Sequence, residues 1–289
     1  MLLKELKTHF TLELSGLYAS EEVQSFFNIL SEYFLKYTRL DTVLKAAEII
    51  SEEKQKQFQE AILRLKKQEP VQYIIGETEF YGLPFKLNRH TLIPRPETEE
   101  LVAWVIEYYE TQTSIDQPIE ILDIGTGSGC IAISLAKNLV DAKITALDFS
   151  SEALQMVEKN AAVNRISLDM LEVDILKAAE LPKSYDVIVS NPPYVRELEK
   201  KMMQSNVLLF EPESALFVSD ADPLLFYRKI GQLASQHLKP GGHLFFEINE
   251  YLSKELKDLL GTMGFSEIIV RKDIFGKDRM MRCMVSKVS

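Results

Sequence analysis

The sequence contains few residues that could bind a metal ion or form a disulfide. Two of its 289 residues are cysteines, Cys130 and Cys283, in no metal-binding or redox spacing. The four histidines follow no metal-ligand pattern either; they are His9, His90, His237 and His243. We therefore expect two reduced, buried thiols and no metal site.

Long apolar segments are missing as well. No run of about 18 apolar residues occurs, and the opening MLLKELKTHF lacks an extended apolar stretch. The sequence thus predicts neither a membrane span nor a signal peptide, and we expect a cytoplasmic protein. No motif specifies an oligomeric state, and a monomer is the expectation.

The chain also lacks an excess of basic residues. It has 33 Lys and Arg against 43 Asp and Glu, a net charge of −10. Proteins that grip duplex nucleic acid usually carry a basic face. This balance disfavours direct nucleic-acid binding, although a local basic patch stays open.

Residues 1–70 show the periodicity of helices. One apolar stripe, behind a predicted N-cap at Ser20, consists of Val23, Phe26, Phe27, Leu30, Tyr33 and Phe34. A second stripe consists of Val43, Leu44, Ala47 and Ile50, and a third, behind a predicted cap at Ser51, consists of Phe58, Ile62 and Leu65. The pattern predicts a small helical domain.

The pattern changes after residue 70. Residues 71–100 mix aromatic and β-branched residues with glycine and proline, which favours a hairpin and a linker. From 101 to 289, apolar strand segments alternate with helical segments, and KPGG (239–242) is a predicted turn. This alternation predicts an α/β domain with an open, mostly parallel sheet.

A glycine-rich loop, DIGTGSG, follows the first strand of this predicted sheet. Asp148 ends the next strand, where a carboxylate can accept hydrogen bonds from ribose hydroxyls. The spacing GxGxG, the acidic Asp123 and the lack of Lys or Arg disfavour a pyrophosphate and suit a cationic sulfonium nucleoside. The loop resembles motif I of class I S-adenosylmethionine (SAM) methyltransferases, with cofactor-binding candidates Asp123, Gly125, Thr126, Gly127, Ser128, Gly129 and Asp148. Asp174 and Ile175 then resemble the adenine site, a plain turn being the alternative.

Asn191, Pro192, Pro193 and Tyr194 follow the fourth strand. Proline cannot donate to a ladder, so a rigid turn that ends the strand is one interpretation. In the other, the Asn191 side-chain carbonyl and the Pro192 backbone carbonyl accept both N–H hydrogens of an amino nitrogen. Tyr194 would offer a stacking face, and the carbonyl dipoles would stabilise the positive charge that develops. The four residues resemble motif IV of amino-group N-methyltransferases, in which Asn191 also contacts the cofactor.

The order and spacing of further segments resemble the protein-(glutamine-N5) methyltransferases that modify peptide-chain release factors. These segments are EPVQYIIGETEFYG, LIPRPETEELV, DIGTGSGCIAISLA, SNPPYV, EPESAL, GGHLFFEI and DIFGKDR. The resemblance implies a Rossmann-like domain with a seven-stranded sheet, conversion of SAM to S-adenosylhomocysteine, and the glutamine of the GGQ tripeptide in class-1 release factors as acceptor. We further expect residues 1–70 to dock that substrate.

The same resemblance implies that Phe80 and residues 94–97 cover the SAM site and that Glu211 lies beside the acceptor pocket. Asn249 and Leu252 depart from the family pattern, which usually has glycine and glutamine at these positions. Two other functions stay open. One is methylation of a ribosomal-protein glutamine or of a nucleic-acid adenine or guanine; the other is a non-catalytic SAM-binding or NAD-binding module.

Overall fold

The structure, a computed structural model, describes residues 1–110 and 118–285. It divides into two compact units, Met1–Glu77 with Gln204–Phe210 and Thr78–Met203 with Glu211–Ser289. Parts of the predicted domain 101–289, residues 111–117 and 286–289, lie outside the described residues. None of the helices described is long and apolar enough to span a bilayer.

Twelve α-helices are present in the described residues. They are α1 (Leu3–Leu14), α2 (Ser20–Leu35), α3 (Asp41–Leu44), α4 (Glu52–Leu65), α5 (Val71–Ile75), α6 (Pro96–Glu110), α7 (Cys130–Asn138), α8 (Ser151–Asn164), α9 (Ser205–Phe210), α10 (Glu213–Leu216), α11 (Leu225–His237) and α12 (Ser253–Thr262). A 3-10 helix spans Glu197–Met202.

The first unit is helical because three amphipathic helices share an aromatic core. Phe10 of α1, Phe27 of α2 and Phe58 of α4 lie with ring centroids 5.5 to 6.3 Å apart. The Ser51 hydroxyl accepts a hydrogen bond from the Lys54 backbone, which confirms the predicted cap. The cap predicted at Ser20 is wrong, since Ser20 is already helical and the capping position is taken by residue 19.

The second predicted stripe does not form one helical face. The chain leaves α3 after four residues, and Ile49 then pairs with Leu2 in an isolated β-bridge. Ile50 is buried, but Val43 and Leu44 are 65% and 72% exposed. A helical spacing in the sequence is lost wherever the chain turns within it.

The strands are β1 (Glu77–Phe80), β2 (Leu83–Lys86), β3 (Glu120–Ile124), β4 (Lys143–Asp148), β5 (Asp169–Glu172), β6 (Tyr185–Ser190), β7 (Val195–Arg196), β8 (Phe217–Val218), β9 (Leu238–Glu247), β10 (Phe265–Lys272) and β11 (Asp278–Val285). Seven of them form one sheet in the order β10-β11-β9-β6-β3-β4-β5. β3, β4, β5, β6 and β9 are parallel, while β11 runs antiparallel to both of its neighbours. The prediction of a mostly parallel seven-stranded sheet is confirmed.

Helices cover both faces of the sheet, which explains why its central strands are apolar throughout. Adjacent residues of β3 point to opposite faces: Ile121 packs in a core with α6, α7 and α8, and Leu122 packs in a core with α11 and α12.

Two local predictions need correction. KPGG is part of β9 rather than a turn, and the register with β6 shifts there. A side chain at Gly242 would lie 2.9 Å from the Lys239 carbonyl, so this irregular strand requires glycine. Residues 71–100 contain the expected hairpin, β1–β2, but also α5 and the start of α6.

Candidate active site

A cavity of about 640 Å³ lies at the carboxyl ends of β3, β4 and β6, whose last residues Ile124, Asp148 and Ser190 line it. Because these strands are parallel, their carboxyl ends meet at one edge of the sheet, where open α/β sheets bind ligands. All lining residues belong to the second unit.

The glycine loop forms one wall of the cavity. Gly125, Gly127 and Gly129 have φ angles of 74°, 56° and 82°, a region that other residues rarely adopt. At Gly129 an added side chain would also lie 3.1 Å from Ile133, so this glycine permits close packing of loop and helix. Residues 125–128 line the cavity and present mostly backbone to a ligand, whereas Gly129, also predicted to bind the cofactor, is not among the lining residues.

Asp123 lies behind this wall and is not among the residues that line the cavity. Its Oδ2 accepts hydrogen bonds from the Thr126 hydroxyl at 2.7 Å and the Ala132 backbone at 3.2 Å. Complete burial raises the pKa of Asp123 to about 7. The structure thus corrects its predicted role from direct binding to support of the loop.

Asp148 does line the cavity. Its two oxygens accept hydrogen bonds from the backbone of Gly127 at 2.9 Å and of Ser150 at 3.0 Å, and burial raises its pKa. A carboxylate has about four acceptor positions, so these backbone hydrogen bonds leave acceptor capacity for a ribose hydroxyl. The loop and the carboxylate are joined in one hydrogen-bonded unit.

Asp174 and Ile175 line another part of the cavity. A hydrogen bond from Lys177 at 2.8 Å lowers the pKa of Asp174 and keeps it charged, while Ile175 is buried. A carboxylate and an aliphatic side chain are therefore in place for a purine ring. Phe80, in contrast, does not reach the cavity; it is 1% exposed and packs edge-on against Phe85 in the core.

Asn191, Pro192 and Pro193 line the cavity directly after β6. The Asn191 Nδ2 donates to the Thr98 hydroxyl oxygen at 3.2 Å, and the Thr98 hydroxyl donates to the Glu247 Oε2 at 2.6 Å. Thr98 and Glu247 are each 2% exposed. Sequence reasoning assigned no role to either, although a lone carboxylate at the end of the apolar strand HLFFE is a signal of buried charge.

Tyr194, the next residue, is half-buried and is not among the residues that line the cavity; its stacking on the acceptor stays a prediction. Its ring packs against the core beside α11 and α12, and its hydroxyl donates to the Glu247 Oε1 at 2.8 Å. Asn249, which differs from the residue usual in the family, holds the same segment. Its Nδ2 donates to the Tyr194 carbonyl at 3.0 Å and to Glu199 at 2.9 Å. Leu252 is buried.

Glu211 lies behind the cavity rim rather than in the cavity. It is buried, and it accepts hydrogen bonds from the Arg95 guanidinium at 2.5 Å and the Ile93 backbone at 3.3 Å. Arg95 and Pro94 line the cavity, whereas residues 96 and 97 do not. Glu211 therefore fixes the rim loop, which corrects its predicted contact with the acceptor.

The cavity is lined by hydrogen-bond acceptors that include the carboxylates of Asp148 and Asp174. No cluster of three or more His, Cys, Asp or Glu suited to a metal occurs in the part of the chain that the structure describes. Both cysteines are buried, and burial raises the pKa of the Cys130 thiol to about 12. The arrangement can hold a cationic nucleoside and accept N–H hydrogen bonds beside it.

Two family models match the chain. The Methyltransferase small domain matches residues 111–219, and the PrmC N-terminal domain matches residues 5–76. Among curated proteins, the release factor glutamine methyltransferase of Flavobacterium psychrophilum is 49% identical over 98% of this chain and 99% of its own length. That of Bacteroides thetaiotaomicron is 44% identical over 93% of this chain and 95% of its own length.

Solved structures agree with the fold. The hMettl16 catalytic domain, solved with a MAT2A 3'UTR hairpin, superposes with a TM-score of 0.54 at 15% identity, and 83% of each chain is covered. Human methyltransferase 10 domain containing protein superposes with a TM-score of 0.51 at 19% identity, over 71% of this chain and 90% of that one. At such identities the likeness shows the architecture alone.

Proposed function

The chain belongs to the family of release factor glutamine methyltransferases and uses SAM, and from that premise we propose its acceptor atom. It transfers the methyl group to the side-chain amide nitrogen (N5) of the glutamine in the GGQ tripeptide of class-1 release factors. The observation that carries this proposal is the 49% identity over 98% of the chain. The acceptor groups after β6 supply the matching chemistry.

The residues at the cavity fit SAM by their donor and acceptor chemistry. Asp148 can accept from the ribose hydroxyls, Asp174 from the adenine amino group, and Ile175 can cover the ring. The open backbone of residues 125–128 leaves room for the amino acid portion. When bound, SAM supplies an electrophilic methyl group on a sulfonium.

Asn191 and Pro192 act on the acceptor. An amide nitrogen is a poor nucleophile because its lone pair is delocalised, and two carbonyl oxygens that accept its N–H hydrogens favour a pyramidal geometry. The Asn191 NH₂ group already faces Thr98, which leaves its oxygen for the substrate. SAM would supply the methyl group and leave as S-adenosylhomocysteine, while the Asn191 and Pro192 carbonyls would hold the acceptor nitrogen, whose proton would pass to water. Carbonyl dipoles stabilise the positive charge that develops on this nitrogen.

The direct test is methylation of a purified release factor. Wild-type protein with SAM should add one methyl group, located by intact mass and peptide mapping on the GGQ glutamine. A release factor with that glutamine changed to alanine is the matched blank. Methyl transfer to the blank, or to RNA in a parallel reaction and not to the release factor, would contradict the proposal.

We also propose that the first unit docks the release factor. It contributes none of the cavity residues, and it exposes Leu40, Val43, Leu44 and Ile49 by 65% to 76%. Changing both Val43 and Leu44 to Ser should raise the KM for the release factor at least about fivefold, the effect of losing a modest apolar anchor. Val140→Ser, at a valine of the second unit that is 88% exposed, is the control. An unchanged KM in the double variant would refute docking through these side chains.

A further inference from the structure

The side-chain amide of Asn191 has two orientations of nearly the same shape. With its oxygen toward the cavity it accepts from the methyl acceptor; with its NH₂ group there it repels the acceptor's own N–H hydrogens. The NPPY segment itself does not choose between them, because oxygen and nitrogen differ little in size. Some neighbouring group must fix the orientation.

Hydrogen-bond polarity at Thr98 makes that choice. A carboxylate accepts only, so the single hydroxyl hydrogen of Thr98 is committed to Glu247 at 2.6 Å. The Thr98 oxygen can then only accept, and the group of Asn191 that faces it at 3.2 Å must be the NH₂. We propose that Glu247 and Thr98 are positioning residues that hold the Asn191 oxygen toward the methyl acceptor. This inference rests on the proposed function.

Glu247 is itself held firmly enough to impose this polarity. Its second oxygen accepts from the Tyr194 hydroxyl at 2.8 Å, and its backbone carbonyl accepts from Tyr227 at 3.1 Å. Burial raises the pKa of Glu247, while the hydrogen bonds from Thr98 and Tyr194 and the positive charge of Arg279 act in the opposite direction. Each of its two oxygens thus has one hydroxyl partner, Thr98 or Tyr194.

Reversing Asn191 would force one of two losses. Either its oxygen would face the Thr98 oxygen without a hydrogen between them, or the Thr98 hydroxyl would leave the buried carboxylate. A lost hydrogen bond to a charged group corresponds to a preference of roughly 10- to 100-fold for the observed orientation.

The test asks whether a second substitution restores a rate that the first one lowered, which a role in packing alone does not predict. In Glu247→Met the Thr98 hydroxyl is free to donate to the Asn191 oxygen and hold it away from the substrate. Single-turnover transfer to the release factor should then fall about 10- to 100-fold. Adding Thr98→Val removes that donor, so the substrate can again select the useful orientation. The double variant should transfer at least about fivefold faster than Glu247→Met alone.

A double variant no faster than Glu247→Met would overturn the proposal. Thr98→Ser is the control, since it keeps the hydroxyl and should stay within about threefold of wild type. Both variants that carry Glu247→Met leave the Tyr194 hydroxyl without its acceptor. This loss is therefore the same in both, and it does not affect the comparison of their rates.

A second measurement tests the orientation of Asn191 without an activity assay. It also applies if Glu247→Met does not fold. In protein labelled with ¹⁵N-asparagine, the Asn191 side-chain signal is identified by its loss in Asn191→Asp. Its NH₂ hydrogens should exchange with water at least about tenfold faster in Thr98→Val than in Thr98→Ser. Equal exchange would overturn the positioning role, whereas absence of methylation by the wild type would overturn only the proposed function.

Discussion

Replacing Asn191 by alanine isolates the step at which the acceptor amide becomes a nucleophile. The change removes the side-chain oxygen that faces the cavity and leaves the Pro192 carbonyl, the glycine loop and Asp148 in place. Alanine also removes the donor to Thr98, whose hydroxyl remains bonded to Glu247. The buried network behind the site therefore keeps its strongest hydrogen bond, and the variant should fold.

The expected loss of methyl-transfer rate follows from the preorganisation of the Asn191 side chain. The Asn191 amide is anchored at 3.2 Å by a group that is itself held at 2.6 Å, so its oxygen does not have to reorganise during transfer. Removing one such polar group at a developing charge typically lowers the rate by about 10²–10³, or about 3–4 kcal/mol. The attraction grows as the nitrogen becomes positive, so the loss should fall mainly on kcat. Asn191→Asp should lose less, because a carboxylate still accepts from N–H.

Single-turnover transfer from labelled SAM to a release factor measures this loss directly. Calorimetry should show a SAM affinity within about threefold of wild type, since the change removes one contact among many. Asn138→Ala, an exposed asparagine at the end of α7, is the matched control and should transfer at the wild-type rate. A wild-type kcat for Asn191→Ala would show that the NPP segment is only a rigid turn.

Three further outcomes are expected. Asp148→Ala should weaken SAM binding by about 1–3 kcal/mol because a buried, charged acceptor is lost, and NAD should not bind either protein; calorimetry that shows NAD binding would refute the ligand assignment. Asp123 keeps its proton in the folded state up to about pH 7, against an ordinary pKa of 3.8, so the unfolded state releases that proton first. The free energy of unfolding should therefore fall as pH rises from about 4 to 7, by up to about 4 kcal/mol, and Asp123→Asn should lack this fall in denaturant titrations across that range. Arg95→Ala should destabilise the protein by roughly 3 kcal/mol because it leaves the buried Glu211 charge unpaired. Adding Glu211→Gln should recover most of that loss in thermal unfolding. Equal stability of the single and the double variant would contradict this prediction.

The local sequence pattern was sufficient for most of the architecture. β-branched runs such as DVIVS are apolar on both faces, which requires helices on both sides of the sheet and so a parallel α/β fold. The glycine loop, Asp148 and the prolines after β6 could be located for the same reason, since parallel strands bring their carboxyl ends to one edge. Each of these features depends on residues that are neighbours in the chain.

Predictions failed where a side chain had a choice of direction. Val43 and Leu44 have helical spacing, but the chain turns after α3 and leaves them exposed. The sequence also did not reveal that the Tyr194 hydroxyl donates to Glu247, 53 residues away in the chain. Phe80 is apolar in either position, and its packing against Phe85 removes it from the site.

The sequence by itself determined which groups stand at the edge of the sheet, because local periodicity marks where each strand ends. Only the tertiary structure decided how those groups are oriented. Glu247 lies 149 residues from Thr98, and Glu211 lies 116 residues from Arg95. Hydrogen-bond direction in such pairs depends on burial and on the geometry of both partners, neither of which leaves a period or a spacing in the chain. The orientation of Asn191 is therefore a property of the folded molecule rather than of the four residues NPPY.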